Sequence, residues 1–424
     1  MESKHKFRKE LELYLHIPFC VRKCNYCDFL SMPAEEEVRR HYVNCLLEEI
    51  RQKGGLCREY QVSTVFFGGG TPSLLAGVQI AELMEAIGNS FSVASDAEIT
   101  IECNPGTLDR QKLLFYKNAG INRLSIGLQS ALDRELQLLG RIHTYGQFLE
   151  NYDLARKMGF ENINVDLISA LPGQKTEDWE YTLRKVLELR PEHISAYSLM
   201  VEEGTPFYEQ YGRDERCREQ GGHPCYLPEE ETEQEMYRLA GQMMNEKGYR
   251  RYEISNYARP GRECRHNIGY WRGISYLGLG IGSASLMERL RFSNIGSMEE
   301  YLEHCRGLGK GTLCFGSQSA GEFLGEQSLA GILQNAPELL NAEQVIALDK
   351  KQRMEEFMFL GLRMTEGVSR KEFKERFGAE LEGVYGTVLQ KLCSQGMLEQ
   401  KEGRISLTEE GIFVSNYILS EFLL

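Results

Sequence analysis

The chain has 424 residues, with 49 Lys+Arg against 62 Asp+Glu and a formal net charge of -13. That balance argues against bulk attraction to phosphate backbones or anionic lipid. Hydrophobic residues make up 42%, too many for a disordered chain and ample for a large core.

Taken in chain order, Leu11-Glu-Leu-Tyr-Leu-His-Ile17 alternates and stops at Pro18, which predicts a strand with its boundary. Further strands are expected at 62–67, 98–102, 123–128, 162–168 and 193–199. Between them, the helical period predicts helices at 35–53, 108–119, 145–158 and 175–189. Six strands alternating with helices imply parallel pairing and right-handed crossovers. The expected fold class is α/β, a partial (β/α)6 TIM-like barrel. Past residue 200 the pattern loosens. Residues 217–231 read as a surface insertion, 249–256 as one more strand and 276–283 as a glycine-rich strand or loop. Residues 307–348 are irregular. Over 369–424, two helical segments precede a hairpin centred on Glu402-Gly403, the outline of a winged helix. The expected domains are a barrel with its glycine-rich extension at 1–290, an irregular or helical connector at 291–350, and a winged-helix-like α+β domain at 351–424.

In a barrel of this kind the ligand site lies at the C-terminal ends of the strands. Glu102, Gln129, Asp166 and the 68–71 loop all fall there. One such position would mean little, but four strands delivering ligand-capable groups to one rim point to a site.

The strongest chemical signal is Cys20-Val-Arg-Lys-Cys24-Asn-Tyr-Cys27, directly after the first strand. Structural zinc normally closes four ligands, whereas an iron–sulfur cube held by three thiolates keeps one iron open. A zinc site completed by His16 or a distant cysteine stays the alternative. The other nine of the 12 cysteines are scattered. Cys217, His223 and Cys225 lack a nearby fourth ligand, and the remainder read as buried small hydrophobes or free thiols. This cysteine usage fits a reducing compartment. Residues 1–10 carry no apolar segment of the signal-peptide kind, and no apolar run reaches about 18 residues. The expected location is cytoplasmic.

The C-x3-C-x2-C spacing, together with Phe67-Gly-Gly-Gly-Thr-Pro72, resembles the radical S-adenosylmethionine (SAM) superfamily. The resemblance implies a [4Fe–4S] cluster on Cys20, Cys24 and Cys27, with SAM on the open iron. Tyr14-Leu-His-Ile-Pro-Phe-Cys20 is similar to the coproporphyrinogen III oxidase-like branch of that superfamily. By the same resemblance, SAM contacts are assigned to Tyr14, Tyr26, Gly69, Gly70, Thr71, Glu102, Gln129, Arg141, Asp166 and Ala196. Ala284 joins them, just past the glycine-rich Gly278-Leu-Gly-Ile-Gly282. Arginine suits the methionine carboxylate. Glu102 suits the ammonium, and Gln129 and Asp166 suit ribose hydroxyls.

Within that branch, the dehydrogenase form carries a further cysteine two residues after the third. Phe29 stands there in this chain. Cys27-Asp28-Phe29 and His266-Asn-Ile-Gly-Tyr-Trp271 resemble the heme chaperone (HemW-type) sub-branch, which implies a heme region at His266, Asn267, Tyr270 and Trp271. The function so implied is heme binding and delivery to a heme-requiring acceptor protein, with an electron donor for the cluster. Oxygen-independent coproporphyrinogen III dehydrogenation in porphyrin biosynthesis is the alternative. A cluster-based redox-sensing winged-helix regulator is the third reading. Residues 369–424 hold seven basic against nine acidic side chains, which does not suit a nucleic-acid face. A lid over the barrel mouth is the expectation for that domain.

Overall fold

The computed structural model describes residues 8–308 and 329–424. Cys314 and residues 309–328 of the irregular stretch expected over 307–348 lie outside the described residues. Strands β1 (Lys9–Ile17), β2 (Tyr60–Gly69), β3 (Val93–Cys103), β4 (Arg123–Gln129), β5 (Ile163–Ser169) and β6 (His193–Ser198) pair in parallel in chain order. Helices α1 (Glu36–Leu56), α2 (Gly77–Ser90), α3 (Arg110–Asn118), α4 (Asp133–Leu138), α5 (Tyr145–Lys157) and α6 (Thr176–Leu189) connect them. Every residue of β4 is buried, as expected for a parallel strand covered on both faces. The helix starts are locally encoded. The Asp109 carboxylate accepts the Lys112 N–H at 2.8 Å, and Thr144 with Gln147 forms a reciprocal capping box.

The sheet does not stop at six strands. After α7 (Pro206–Glu219) and α8 (Glu230–Glu246), β8 (Asn256–Ala258) adds antiparallel to β6, and β7 (Arg250–Arg251) adds antiparallel to β8. The expected single strand over 249–256 is therefore split. The Glu253 carboxylate turns back onto the Ser255 N–H at 2.9 Å and breaks it. Helix α9 (Arg265–Arg272) leads to β9 (Tyr276–Leu279), which pairs parallel with β1 on the other side. β10 (Ala284–Met287), β11 (Leu290–Asn294) and β12 (Ala342–Ala347) continue antiparallel from there. The sheet thus runs open from β12 to β7, a partial barrel with two extended flanks. One expectation is corrected here. The supposed connector over 291–350 supplies β12 and most of β11, besides α10 (Met298–Leu308). The stretch 217–231 runs from the end of α7 through a largely exposed loop to the start of α8.

The C-terminal domain has its own core, including Met358, Phe373, Tyr385, Leu392 and Ile405. Three helices (Lys350–Gly361, Arg370–Phe377, Leu381–Ser394) precede a hairpin of Leu398–Lys401 and Arg404–Leu407. Glu402 and Gly403 turn it with φ of 49° and 77°, the left-handed pair that a tight hairpin requires. The winged-helix outline is present. Its position differs from the expectation, because it docks on the N-terminal end of the barrel, away from the mouth. Met364 packs with Tyr252 and Cys264, Arg376 donates to the Arg272 carbonyl, and Arg272 pairs with Glu366 at 2.9 Å.

Candidate metal centre

The loop after β1 is strapped at many points. Cys20 N–H donates to the Met32 carbonyl at 3.1 Å, and Met32 N–H to the Pro18 carbonyl at 2.8 Å. Arg22 reaches the Gly140 carbonyl and Asn25 the Leu138 carbonyl, tying the loop to the end of α4. These bonds present Cys20, Cys24 and Cys27 as three free, half-buried thiols at the barrel mouth. Burial raises the Cys27 thiol, with Cys24 and Cys20 facing it.

A ring of polar groups underlies them. Asn104 donates to Thr71 Oγ1 at 2.8 Å, and the same hydroxyl lies 3.4 Å from Cys20 Sγ. Arg141 Nη2 donates to Asn104 Oδ1 at 2.7 Å and to the Gly127 carbonyl at 2.8 Å, while Nη1 points at Cys24 Sγ at 3.6 Å. Polar groups thus face two of the three sulfurs. Asn104 is the hub. In Ile101-Glu-Cys-Asn-Pro105 the carboxylate is the conspicuous ligand group, and nothing local marks Asn104.

Gly70 lets the backbone approach. A Cβ there would lie 2.8 Å from the Phe19 carbonyl oxygen and 3.1 Å from Cys20 Sγ. His16 is no fourth ligand. Its Nε2 faces the Leu30 carbonyl at 2.8 Å and must donate, so Nδ1 accepts from the Tyr14 hydroxyl at 3.0 Å. Among the described residues, no group of three His, Cys, Asp or Glu side chains is gathered tightly enough for a single ion. With both ring nitrogens of His16 engaged, the zinc alternative loses that ligand. A cube spreads its irons over several corners, and three thiols backed by donors fit it.

Deeper groups suit a cationic, zwitterionic ligand. Glu102, at the end of β3, accepts the Gly69 N–H at 3.1 Å. Burial, and then the facing Asp166, push its carboxyl up to about 8. Asp166 is likewise raised by burial, although Asn164 and Ser125 donate to it at 2.7 and 3.0 Å. Gln129 holds φ of 76° where the β4–β5 register shifts, a costly conformation for a non-glycine residue. The Nε of Arg141 is buried without a partner. Tyr26 packs beside an apolar cluster containing Leu139 and Phe207. Ala196 is buried on β6, while Ala284 opens β10, beyond β9 from the cysteine loop.

The His-Asn-x-x-Tyr-Trp motif forms α9 at the opposite end of the barrel. The Glu98 carboxylate accepts the Arg265 and His266 N–H groups at 3.2 Å and so caps the helix. His266 is 1% exposed and stacked on Phe66 at 5.0 Å. Its ring bonds Thr64 Oγ1 at 2.7 Å and the Tyr270 hydroxyl at 3.2 Å. Burial, helped by Arg123, lowers it to about 3. Neither nitrogen is free for iron in this arrangement. Phe66 stacks in turn near Tyr14 at 6.3 Å, so rings run from α9 towards the mouth. Trp271 instead lines a cavity of about 250 Å³ under the C-terminal domain, with Leu286, Phe357, Arg353 and Arg404. The guanidinium of Arg363 sits over its indole at 4.5 Å. Asn267 lies half-buried on the same helix.

Comparison with known proteins agrees with this geometry. Residues 14–186 match the description "Radical SAM superfamily", and residues 348–414 match "HemN C-terminal domain". "Heme chaperone HemW" of Bacillus subtilis is 34% identical over 413 residues, covering 97% of this chain and 98% of that protein. The chain belongs to the HemW family of radical SAM proteins. That membership implies a [4Fe–4S] cluster and SAM, which the donor set at the mouth fits. "Heme chaperone HemW" of Escherichia coli is 39% identical over 274 residues, 64% of this chain and 69% of that one. "Radical S-adenosyl methionine domain-containing protein 1, mitochondrial" of Mus musculus is 33% identical, covering 97% of this chain and 87% of the relative. The structure of E. coli coproporphyrinogen III oxidase (HemN) superposes with a TM-score of 0.77, covering 98% of this chain and 90% of that one. At 22% identity that likeness bears on the fold alone. Among the described residues, no helix is long and apolar enough to cross a membrane.

Proposed function

We propose that this protein is a heme chaperone, binding heme and passing it to a heme-requiring acceptor protein in the cytoplasm. The observation that carries the reading is near-full-length relationship to proteins named heme chaperones, joined to Phe29 beside Cys27. The side chain at that position is 67% exposed and cannot ligate a metal, whereas the dehydrogenase form carries a cysteine there.

At the mouth, Cys20, Cys24 and Cys27 hold the cluster, which when bound supplies a one-electron reductant with one iron open to SAM. The chain's own residues do the seating. Glu102 accepts the SAM ammonium, and Arg141 faces the carboxylate with the Nε it has to spare. Gln129 and Asp166 take ribose hydroxyls. Tyr14 holds His16 in one tautomer, so the loop end at Leu30 stays fixed. Gly69, Gly70 and Thr71 bring backbone and hydroxyl donors close to the ligand, while Tyr26, Ala196 and Ala284 supply walls. At the other end, Trp271 and Asn267 are the heme-facing residues of α9. His266 and Tyr270 anchor that helix from inside the barrel. The cluster takes its electron from a donor.

The test is a paired assay on anaerobically reconstituted protein. A Soret band on heme titration, with no conversion of coproporphyrinogen III, is the expected result. Formation of protoporphyrinogen would replace the chaperone reading with the dehydrogenase one.

A further inference from the structure

Glu49 and Lys53 stand one turn apart on α1 and are 3% and 1% exposed. A buried ion pair of this kind persists only when every lone pair and proton is used. Here each is. Glu49 Oε1 accepts from Lys53 Nζ at 2.7 Å and from Asn294 Nδ2 at 2.6 Å. Its Oε2 accepts from the Tyr301 hydroxyl at 2.7 Å and from the Gly280 N–H at 2.9 Å. Lys53 also donates to Asn294 Oδ1 at 2.8 Å and to the Gly278 carbonyl at 3.4 Å.

What these bonds hold is the glycine-rich loop 278–283. The loop in turn braces both ends of the cysteine loop. Gly280, at φ of 89°, passes so close to β1 that a Cβ would lie 2.8 Å from the His16 carbonyl oxygen. The Tyr42 hydroxyl donates to that same carbonyl at 2.7 Å and accepts the Ile281 N–H at 3.1 Å. A Cβ on Gly282 would lie 2.6 Å from Leu30, the residue whose carbonyl His16 binds. The pair therefore sits behind the mouth and touches no position assigned to SAM.

We propose that Glu49 and Lys53 are positioning residues for the SAM seat, fixing the glycine-rich loop against the two ends of the cysteine loop. The inference rests on the reading of the mouth as that seat. A purely structural pair would matter for stability alone, and charge-neutral apolar replacement of a buried pair is commonly tolerated or stabilising. A positioning pair differs, because the replacement removes the bonds to Gly280, Gly278 and Asn294 while the fold survives.

The experiment is the double variant Glu49→Leu with Lys53→Met, reconstituted and compared with the parent protein. Iron and sulfide content, thermal midpoint and SAM affinity by equilibrium dialysis are all measured. The expected outcome is an intact cluster in a folded protein whose midpoint is lowered, since Asn294, Tyr301 and Gly280 lose their partners, with SAM affinity down about tenfold, the size seen when outer-shell support is lost. Affinity within twofold of the parent overturns the proposal. Tyr301→Phe removes one hydroxyl donor to Glu49 and keeps the charges. It weakens SAM in the same direction by a smaller factor, and an unchanged affinity there sinks the idea even if the double variant fails to fold. Absence of SAM binding in the parent protein would instead remove the reading of the mouth itself.

Discussion

Lowering the pH through the neutral range weakens SAM binding, and Glu102 sets the size of the effect. Its buried carboxyl faces Asp166 and is pushed up to about 8. An ammonium needs the carboxylate form, so binding expels whatever proton Glu102 carries. The sign follows: affinity is full above the raised pKa and falls as pH drops below it. About three in four Glu102 side chains are charged at pH 8.5, against about one in thirty at pH 6.5, which gives a ~25-fold loss of affinity. Equilibrium dialysis of reconstituted protein at successive pH values measures it, with cluster absorbance checked at each point. Glu102→Gln flattens the profile at the weak-binding level. A parent profile flat within twofold refutes the assignment. So does the same slope in Glu102→Gln, which would transfer the titration to Asp166, also raised by burial.

Cys24→Ala removes one of three thiolates and the sulfur that Arg141 faces, so reconstitution should yield no stable cluster. Four irons per chain in that variant would contradict the ligand set. His266→Ala opens a cavity against Phe66 and strands the Thr64 and Tyr270 hydroxyls, costing about 3 kcal/mol in urea unfolding. An unaltered midpoint would show that the ring is not the anchor described. In the heme-loaded protein the Soret maximum should not move in His266→Ala, and a shift would restore the imidazole as iron ligand. Trp271→Ala should weaken heme binding by about tenfold, as loss of a large aromatic contact does, and unchanged titration would remove α9 as the heme face.

Sequence reading succeeded where chemistry is local. The strand ends near Glu102 and at Gln129 and the Glu402-Gly403 turn each carry their reason within a few residues, whereas Asp166 lies in the middle of β5. It failed where a residue's role depends on what arrives from far along the chain. Glu49 and Lys53 look like an ordinary i,i+4 pair on a helix surface. They become interior only because Gly278, Asn294 and Tyr301 fold over them from more than 200 residues away. His266 likewise reads as an available imidazole until Thr64 and Glu98, on β2 and β3, take up its ring and its backbone N–H.

The same distinction explains why the two ends of the barrel differ in legibility. At the mouth, the parallel strands share one direction, so strand order alone puts the cysteine loop after β1 and Glu102 near the end of β3 on one rim. At the base no such rule operates. The position of α9 depends on the Glu98 cap and on Met364 of the C-terminal domain packing beside Cys264. An acidic, winged-helix-like domain has no sequence feature that says which end it covers. Its salt bridges, Arg272 to Glu366 and Arg291 to Glu356, join residues that each look solvated in isolation. The domain therefore closes over Trp271 and leaves the cysteine mouth open. Any heme held at α9 lies a barrel's length from the cluster, with the His266, Phe66 and Tyr14 rings between them.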